Sequence, residues 1–174
     1  TLFDFKIDRA TGVITMRNDG NGIDIAKHPE HDLWIPEMIF GHLRTSTNYK
    51  KDEDKIVGGK NGFGVKLIMI YSKWASIETL DHIRHLKYTQ EFKNNLSFIG
   101  KPKIRKTTSD KPYTELSFLP DYKRFGIDNL TDDMYNLFVK RIYDFAAITN
   151  KSVSVSLNSN IISVRSFEGY VDLY

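Results

Sequence analysis

Segments of two different periods follow one another along this chain without settling into strand–helix–strand repeats, and that order limits the folds open to it. In "FDFKID", Phe3, Phe5 and Ile7 recur every second residue, the spacing of a strand with one buried face. The turn "RATG" and the run "VITMR" complete a hairpin over residues 2–17. Further strands are predicted at "WASIETL", "HLKYTQEF" and "YTELSFLP", and a second hairpin in "SVSVSLNSNIISVRSF" around its "NSN" turn. Helical spacing occurs in "IPEMIFGHL", where Pro36 suits the first turn, and in "GVKLIMIYS", with Leu67, Ile68, Ile70 and Tyr71 to bury. The strongest helix covers 131–149. Thr131 caps it, Asp132 and Asp133 suit the positive end of its dipole, and Met134, Leu137, Phe138, Arg141, Ile142 and Phe145 step at helical spacing. The prediction is an α+β domain with helices on one face of a mixed sheet.

A length of 174 residues allows one core of ordinary size, and 40 % hydrophobic with 27 % charged residues is a globular balance. Cysteine is absent, which excludes disulfides and thiolate zinc sites and fits a reducing compartment. No apolar stretch is long enough for a membrane-spanning helix. The net charge of +3 permits contact with a polyanion without arguing for one. Thr1 in place of a methionine, and the unfinished apolar pattern of "GYVDLY", read as the ends of a piece of something larger.

Three stretches carry candidate chemistry. "GGKNGFGVK" at 58–66 places four glycines ahead of an apolar helix. Glycines let backbone N–H groups converge on an anion, the helix start adds its own, and Lys60 and Lys66 add charge, so the stretch reads as a phosphate cradle or as a plain loop. It lacks the GK[ST] ending of a Walker A loop. "NDGNGI" at 18–23 has the composition of a hairpin turn, but no partner strand follows it. "RTSTNY" at 44–49 offers hydroxyls for phosphates and an amide for a base or ribose, or simply helix caps. The five histidines show no metal-ligand spacing, and Trp34 and Trp74 read as core anchors. "KPKIRK" at 101–106 reads as a solvated loop, with DNA contact the less favoured use.

Taken in order, "NDGNGI", "IFGHLRTSTNY", "GGKNGFGVKL" and "YTELSF" resemble the GHKL, or Bergerat-fold, ATPase domain of the eukaryotic-type and large-virus type IIA DNA topoisomerases, across essentially the whole chain. The resemblance implies a two-layer sandwich. It divides the chain into an ATP-binding domain at 1–164 and the start of the family's transducer domain at 165–174. It places Asn18 against adenine and Gly20 and Gly22 where the chain passes the nucleotide. Ser46 and Thr47 fall near the phosphates, Asn48 beside the sugar, and Thr114 behind the adenine. Gly59, Lys60, Asn61, Gly62, Phe63, Gly64 and Lys66 form the phosphate loop.

The implied cofactors are ATP and Mg2+, and the implied partners are DNA and a second copy of the parent enzyme, with no membrane. The implied location is intracellular: nuclear in a cell, nuclear or cytoplasmic at a viral replication site. No catalytic or metal-binding residue is assigned within the chain. The family's general-base glutamate and magnesium-binding asparagine precede its first strand, and its γ-phosphate lysine lies in the transducer. The alternatives are another GHKL protein, such as a mismatch-repair ATPase, a chaperone or a sensor kinase, and a non-catalytic interaction module.

Overall fold

The computed structural model describes residues 1–42 and 62–174. Among the described residues the strands are β1 (Leu2–Ile7), β2 (Ile14–Asn18), β3 (Ser72–Asp81), β4 (Leu86–Lys93), β5 (Phe98–Ile99), β6 (Lys103–Lys106), β7 (Tyr113–Pro120), β8 (Ser154–Leu157) and β9 (Asn160–Ile161). They form one sheet in the order β5-β4-β3-β7-β2-β1-β8-β9, with β6 also on β4. The β1–β8 pair is parallel and the remaining pairs are antiparallel, so the sheet is mixed as predicted. The helices are α1 (Ile35–Gly41), α2 (Gly64–Ile70), α3 (Asp132–Ile148) and α4 (Phe167–Val171).

Alternation along the strands divides the sheet cleanly. Register aligns Ile7, Ile14, Phe118, Ala75 and Phe92 in one cross-strand row, and Phe5, Met16, Leu116, Ile77 and Gln90 in the next. Both rows lie under the helices. Ile142, Ala146 and Ala147 of α3 pack against Ile7, Ile14 and Val155. Phe40 of α1 and Met69 of α2 pack against Ala75, Ile77, Tyr88 and Phe92. Phe118 borders both clusters, which makes them one layer on one face. The opposite face is polar. Arg17 reaches Glu115 at 3.1 Å and Lys87 reaches Glu78 at 2.9 Å, with the Arg17 guanidinium 3.8 Å above the Tyr113 ring.

Several predicted details shift. Thr131 does cap α3, accepting a hydrogen bond from the Met134 N–H at 3.3 Å. The inward stripe of α3, however, is Phe138, Ile142, Phe145 and Ala146, while Leu137 and Arg141 face outward. On α2 the buried pair is Lys66 and Met69, one helical turn apart, and Leu67 and Tyr71 remain exposed. Those two instead line an apolar groove of about 630 Å³ between α2 and α3, floored by Phe5, Ile14 and Phe118. The second hairpin is shorter than its alternation implies, because Ser166 caps α4 and ends the strand pattern. "KPKIRK" is not a loop but supplies β6, whose alternate residues Lys103 and Arg105 are exposed. Trp34 packs against the core, whereas Trp74 is half-buried outside both clusters.

Two buried phenols carry hydrogen bonds inside the fold. Tyr122 donates to the Gly12 carbonyl at 2.7 Å, and burial pushes its pKa up to about 12. Tyr88 donates to Gln90 Oε1 at 2.6 Å and is pushed up further, by burial first and Glu37 second. Folded values above the ordinary tyrosine range mean that both groups stabilise the fold fully below about pH 10, and that this stabilisation is lost as pH rises through the folded values. Urea midpoints should therefore fall as pH rises from about 10 to about 12. Tyr122→Phe should lower stability at pH 8 by about 1 kcal/mol and flatten that alkaline fall; an unchanged slope would remove Tyr122 as its cause.

Candidate functional site

One row further along the inner face, the sheet stops being apolar. Register places Asn18 opposite Thr114, and Thr114 opposite Thr79, across β2, β7 and β3. Thr79 is wholly buried and fully engaged. Its hydroxyl donates to the Tyr113 carbonyl at 2.9 Å, lies 3.1 Å from Thr114 Oγ1 and accepts the Ile23 N–H at 3.0 Å. Asn18 Oδ1 accepts the Gly20 N–H at 3.1 Å, closing a local turn at the strand end. Among the described residues no hydrogen bond occupies the Asn18 amide donors. Three polar side chains in register at the rim of a hydrophobic layer make a wall suited to a flat, heteroatom-edged ring.

The chain leaving β2 is pressed against that wall. Gly22 has φ +74°, and a Cβ there would stand 2.2 Å from the Leu80 carbonyl oxygen, so only glycine fits. Two side chains then replace the ladder that a neighbouring strand would provide. Thr79 holds Ile23, and Asp81 Oδ2 accepts the Ile25 N–H at 3.0 Å. Asp81 also accepts from the Ile83 and Arg84 N–H groups at 3.0 and 2.9 Å and from the Arg84 guanidinium at 2.8 Å. Burial alone would raise its pKa, but these donors together hold it below the usual carboxylate value. Neither Thr79 nor Asp81 was singled out in the sequence. The signal was their phase: both continue the Ala75, Ile77 positions of "WASIETLD", where a half-buried strand should carry apolar residues.

Of the phosphate-loop residues, Gly62 has φ +66°, the left-handed value expected of a glycine turn. Gly64 differs. It opens α2, and nothing lies within 4 Å of the place a Cβ would take. Its lack of a side chain answers no contact among the described residues. Phe63, just ahead of α2, is exposed, while Lys66 is only 2 % exposed on the inward side of the helix, where burial lowers its pKa. Ser46, Thr47, Asn48, Gly59, Lys60 and Asn61 lie outside the described residues.

The architecture is that of the GHKL ATPases. The ATPase domain of Thermus thermophilus gyrase B superposes with a TM-score of 0.69 at 15 % identity, covering 97 % of this chain and 41 % of that one, a likeness of fold. The ATPase region of Saccharomyces cerevisiae topoisomerase II superposes with a TM-score of 0.96 at 40 % identity, covering all of this chain and 46 % of that one. DNA topoisomerase 2 of Acanthamoeba polyphaga mimivirus is 48 % identical over 168 residues, which are 97 % of this chain and 13 % of that protein. No family model matches. This chain belongs to the topoisomerase II family and corresponds to part of its ATPase region. It spans about an eighth of the length of the curated relatives it matches.

Asp81 is the mechanical anchor of the glycine segment, and its removal strands several backbone donors. Asp81→Ala should cost roughly 2–3 kcal/mol in urea unfolding and accelerate hydrogen exchange selectively at Ile25, Ile83 and Arg84. In the parent chain the Asp81 contribution is present above about pH 4 and is lost as pH falls, because its folded pKa is depressed. Unchanged exchange at Ile25 in the variant would remove the anchoring role.

Proposed function

We propose that this chain grips ATP as part of the ATPase gate of a type IIA DNA topoisomerase. The observation that carries the reading is the in-register wall of Asn18, Thr114 and Thr79, with Gly22 pressed against its β3 end. The free amide donors of Asn18 would meet acceptor nitrogens at the adenine edge, and Thr114 would back the ring. Gly20 and Gly22 would keep the chain flush beside it. Gly59, Lys60, Asn61, Gly62, Phe63, Gly64 and Lys66 would close over the phosphates, with Ser46, Thr47 and Asn48 at phosphate and sugar. Among the described residues nothing stands beside Gly64, which is the room an approaching phosphate oxygen would need. Bound ATP supplies a phosphoanhydride whose hydrolysis resets the gate.

Turnover of ATP would draw on groups beyond those assigned in this chain. The general base and the magnesium-binding asparagine belong to a helix that in the family precedes the first strand. The groove between α2 and α3, with Leu67 and Tyr71 exposed along it, is an apolar seat of the kind such a helix would cover. A general base usually contributes about 10²–10⁴-fold to rate, and the metal neutralises developing charge. Residues 1–164 form the ATP-binding domain in this reading, and 165–174, which include α4, begin the transducer. In the parent enzyme two such domains would close on each other when ATP binds, around a DNA segment, in a nucleus or at a viral replication site.

The test is a calorimetric titration with a non-hydrolysable ATP analogue and magnesium, on the chain extended at its N-terminus by the helix that precedes β1. Gly64→Ala should leave thermal stability unchanged or raise it by up to about 1 kcal/mol, since alanine favours helix. It should nevertheless weaken analogue binding at least tenfold by filling the phosphate space. Asn18→Ala should weaken binding by about 1–3 kcal/mol while retaining the fold. Wild-type affinity in both variants would overturn the assignment.

A further inference from the structure

Outside the nucleotide wall, the loop between Gly22 and α1 collects metal-ligating side chains. In sequence the histidines show no ligand spacing, but folding turns "HPEH" back on itself. His28, Glu30 and His31 each present a ligand atom, and these lie within 4.8 Å of one another. The two imidazoles stack with centroids 4.9 Å apart and planes 19° from parallel. The loop is closed at its base. Lys27 and Trp34 form an antiparallel bridge, the His28 N–H donates to the Leu33 carbonyl at 2.7 Å, and the Ile35 N–H donates to the Ala26 carbonyl at 2.9 Å. Lys27 pairs with Asp32 at 2.5 Å across the same neck. The ligand-bearing residues therefore sit on a fastened loop of few residues, so ordering it around an ion costs little further chain entropy.

The ligand chemistry is selective. Two imidazole nitrogens and one carboxylate are a zinc set with a fourth position open to water, and imidazole is a poor ligand for magnesium. His28 Nδ1 accepts the Glu30 N–H at 3.2 Å, which holds the ring in place and leaves Nε2 as the nitrogen to face a metal. Tetrahedral bonds of about 2.0–2.1 Å place ligand atoms roughly 3.4 Å apart. From a spread of at most 4.8 Å, that contraction needs only rotamer adjustment of half-buried or exposed side chains.

We infer that His28, Glu30 and His31 form a zinc site that clamps the loop leading into α1. The loop ends at Trp34, which immediately precedes α1 and packs against the core, so zinc binding stiffens the approach to that helix. The site is separate from the nucleotide wall and does not depend on that reading.

The 174-residue chain, stripped with a chelator and dialysed, is titrated calorimetrically with zinc chloride in the absence of nucleotide. One zinc per chain should bind in the micromolar range and raise the thermal midpoint. Cobalt substitution should give the visible absorption of a four-coordinate nitrogen and oxygen site. His28→Ala and His31→Ala should each weaken binding at least tenfold, as should Glu30→Gln, while His85→Ala on the β3–β4 turn should leave it unchanged. Circular dichroism of the variants checks that the fold survives. Absence of saturable one-to-one binding, or equal affinity in the His28 and His31 variants, would overturn the site.

Discussion

A strand side chain has two faces to choose from, and the structure depends on how strictly this sheet keeps to that choice. Five strands align their inward residues in cross-strand rows, two of them nearly all apolar and the third carrying Asn18, Thr114 and Thr79. A slip of one residue in any strand would exchange the buried and solvent faces, which burial forbids. The polar row is thus located by the hydrophobic rows beside it. Burying a few apolar side chains, at roughly 1.5–3 kcal/mol each, outweighs any preference the polar residues have for water. The polar wall is placed by groups that are not part of it.

The same rows explain how an irregular segment is held in place. Among the described residues no strand pairs with the segment from Gly20 to Ile25, so its N–H groups need acceptors from elsewhere. Thr79 and Asp81 supply them from β3. A buried carboxylate is costly by itself, and Asp81 persists because backbone N–H groups and one guanidinium surround it. Positive φ at Gly22 then brings the chain close enough for those bonds to form. The glycine and the aspartate are two halves of one device: the first permits the approach and the second fastens it.

How far the sequence disclosed this depends on the range of the interaction involved. Strand and helix positions follow from local period, and Thr131, Pro36 and the "NSN" turn act within a few residues, so these were legible. Residues 18–23 and 114 were singled out through the order of motifs, and register brings Asn18 and Thr114 side by side. The burial of α2 was not legible. Seven residues of nearly continuous apolar character have no periodicity to orient them, and only tertiary packing turns Lys66 inward and Leu67 outward. Gly62 takes positive φ and Gly64 does not, and a glycine tells nothing by itself about whether backbone angle or free space demands it. Thr79 and Asp81 stayed hidden because a threonine and an aspartate at a strand end are ordinary. Their importance lies in cross-strand partners that alternation cannot name.

α2 joins the two unsolved surfaces of the molecule. A seven-residue helix is too short to persist without packing, so its position is set by whatever it touches. Met69 and Lys66 fix its inner side. Its first turn carries Gly64, and Leu67 and Tyr71 lie along the apolar groove. Any segment that covers the groove therefore bears on the same helix that presents the glycine loop. Elements with little buried apolar surface sit at the low-stability end of a fold, where a ligand's binding energy is large enough to reposition them. The coupling needs no long pathway, because the two surfaces are adjacent turns of one short helix.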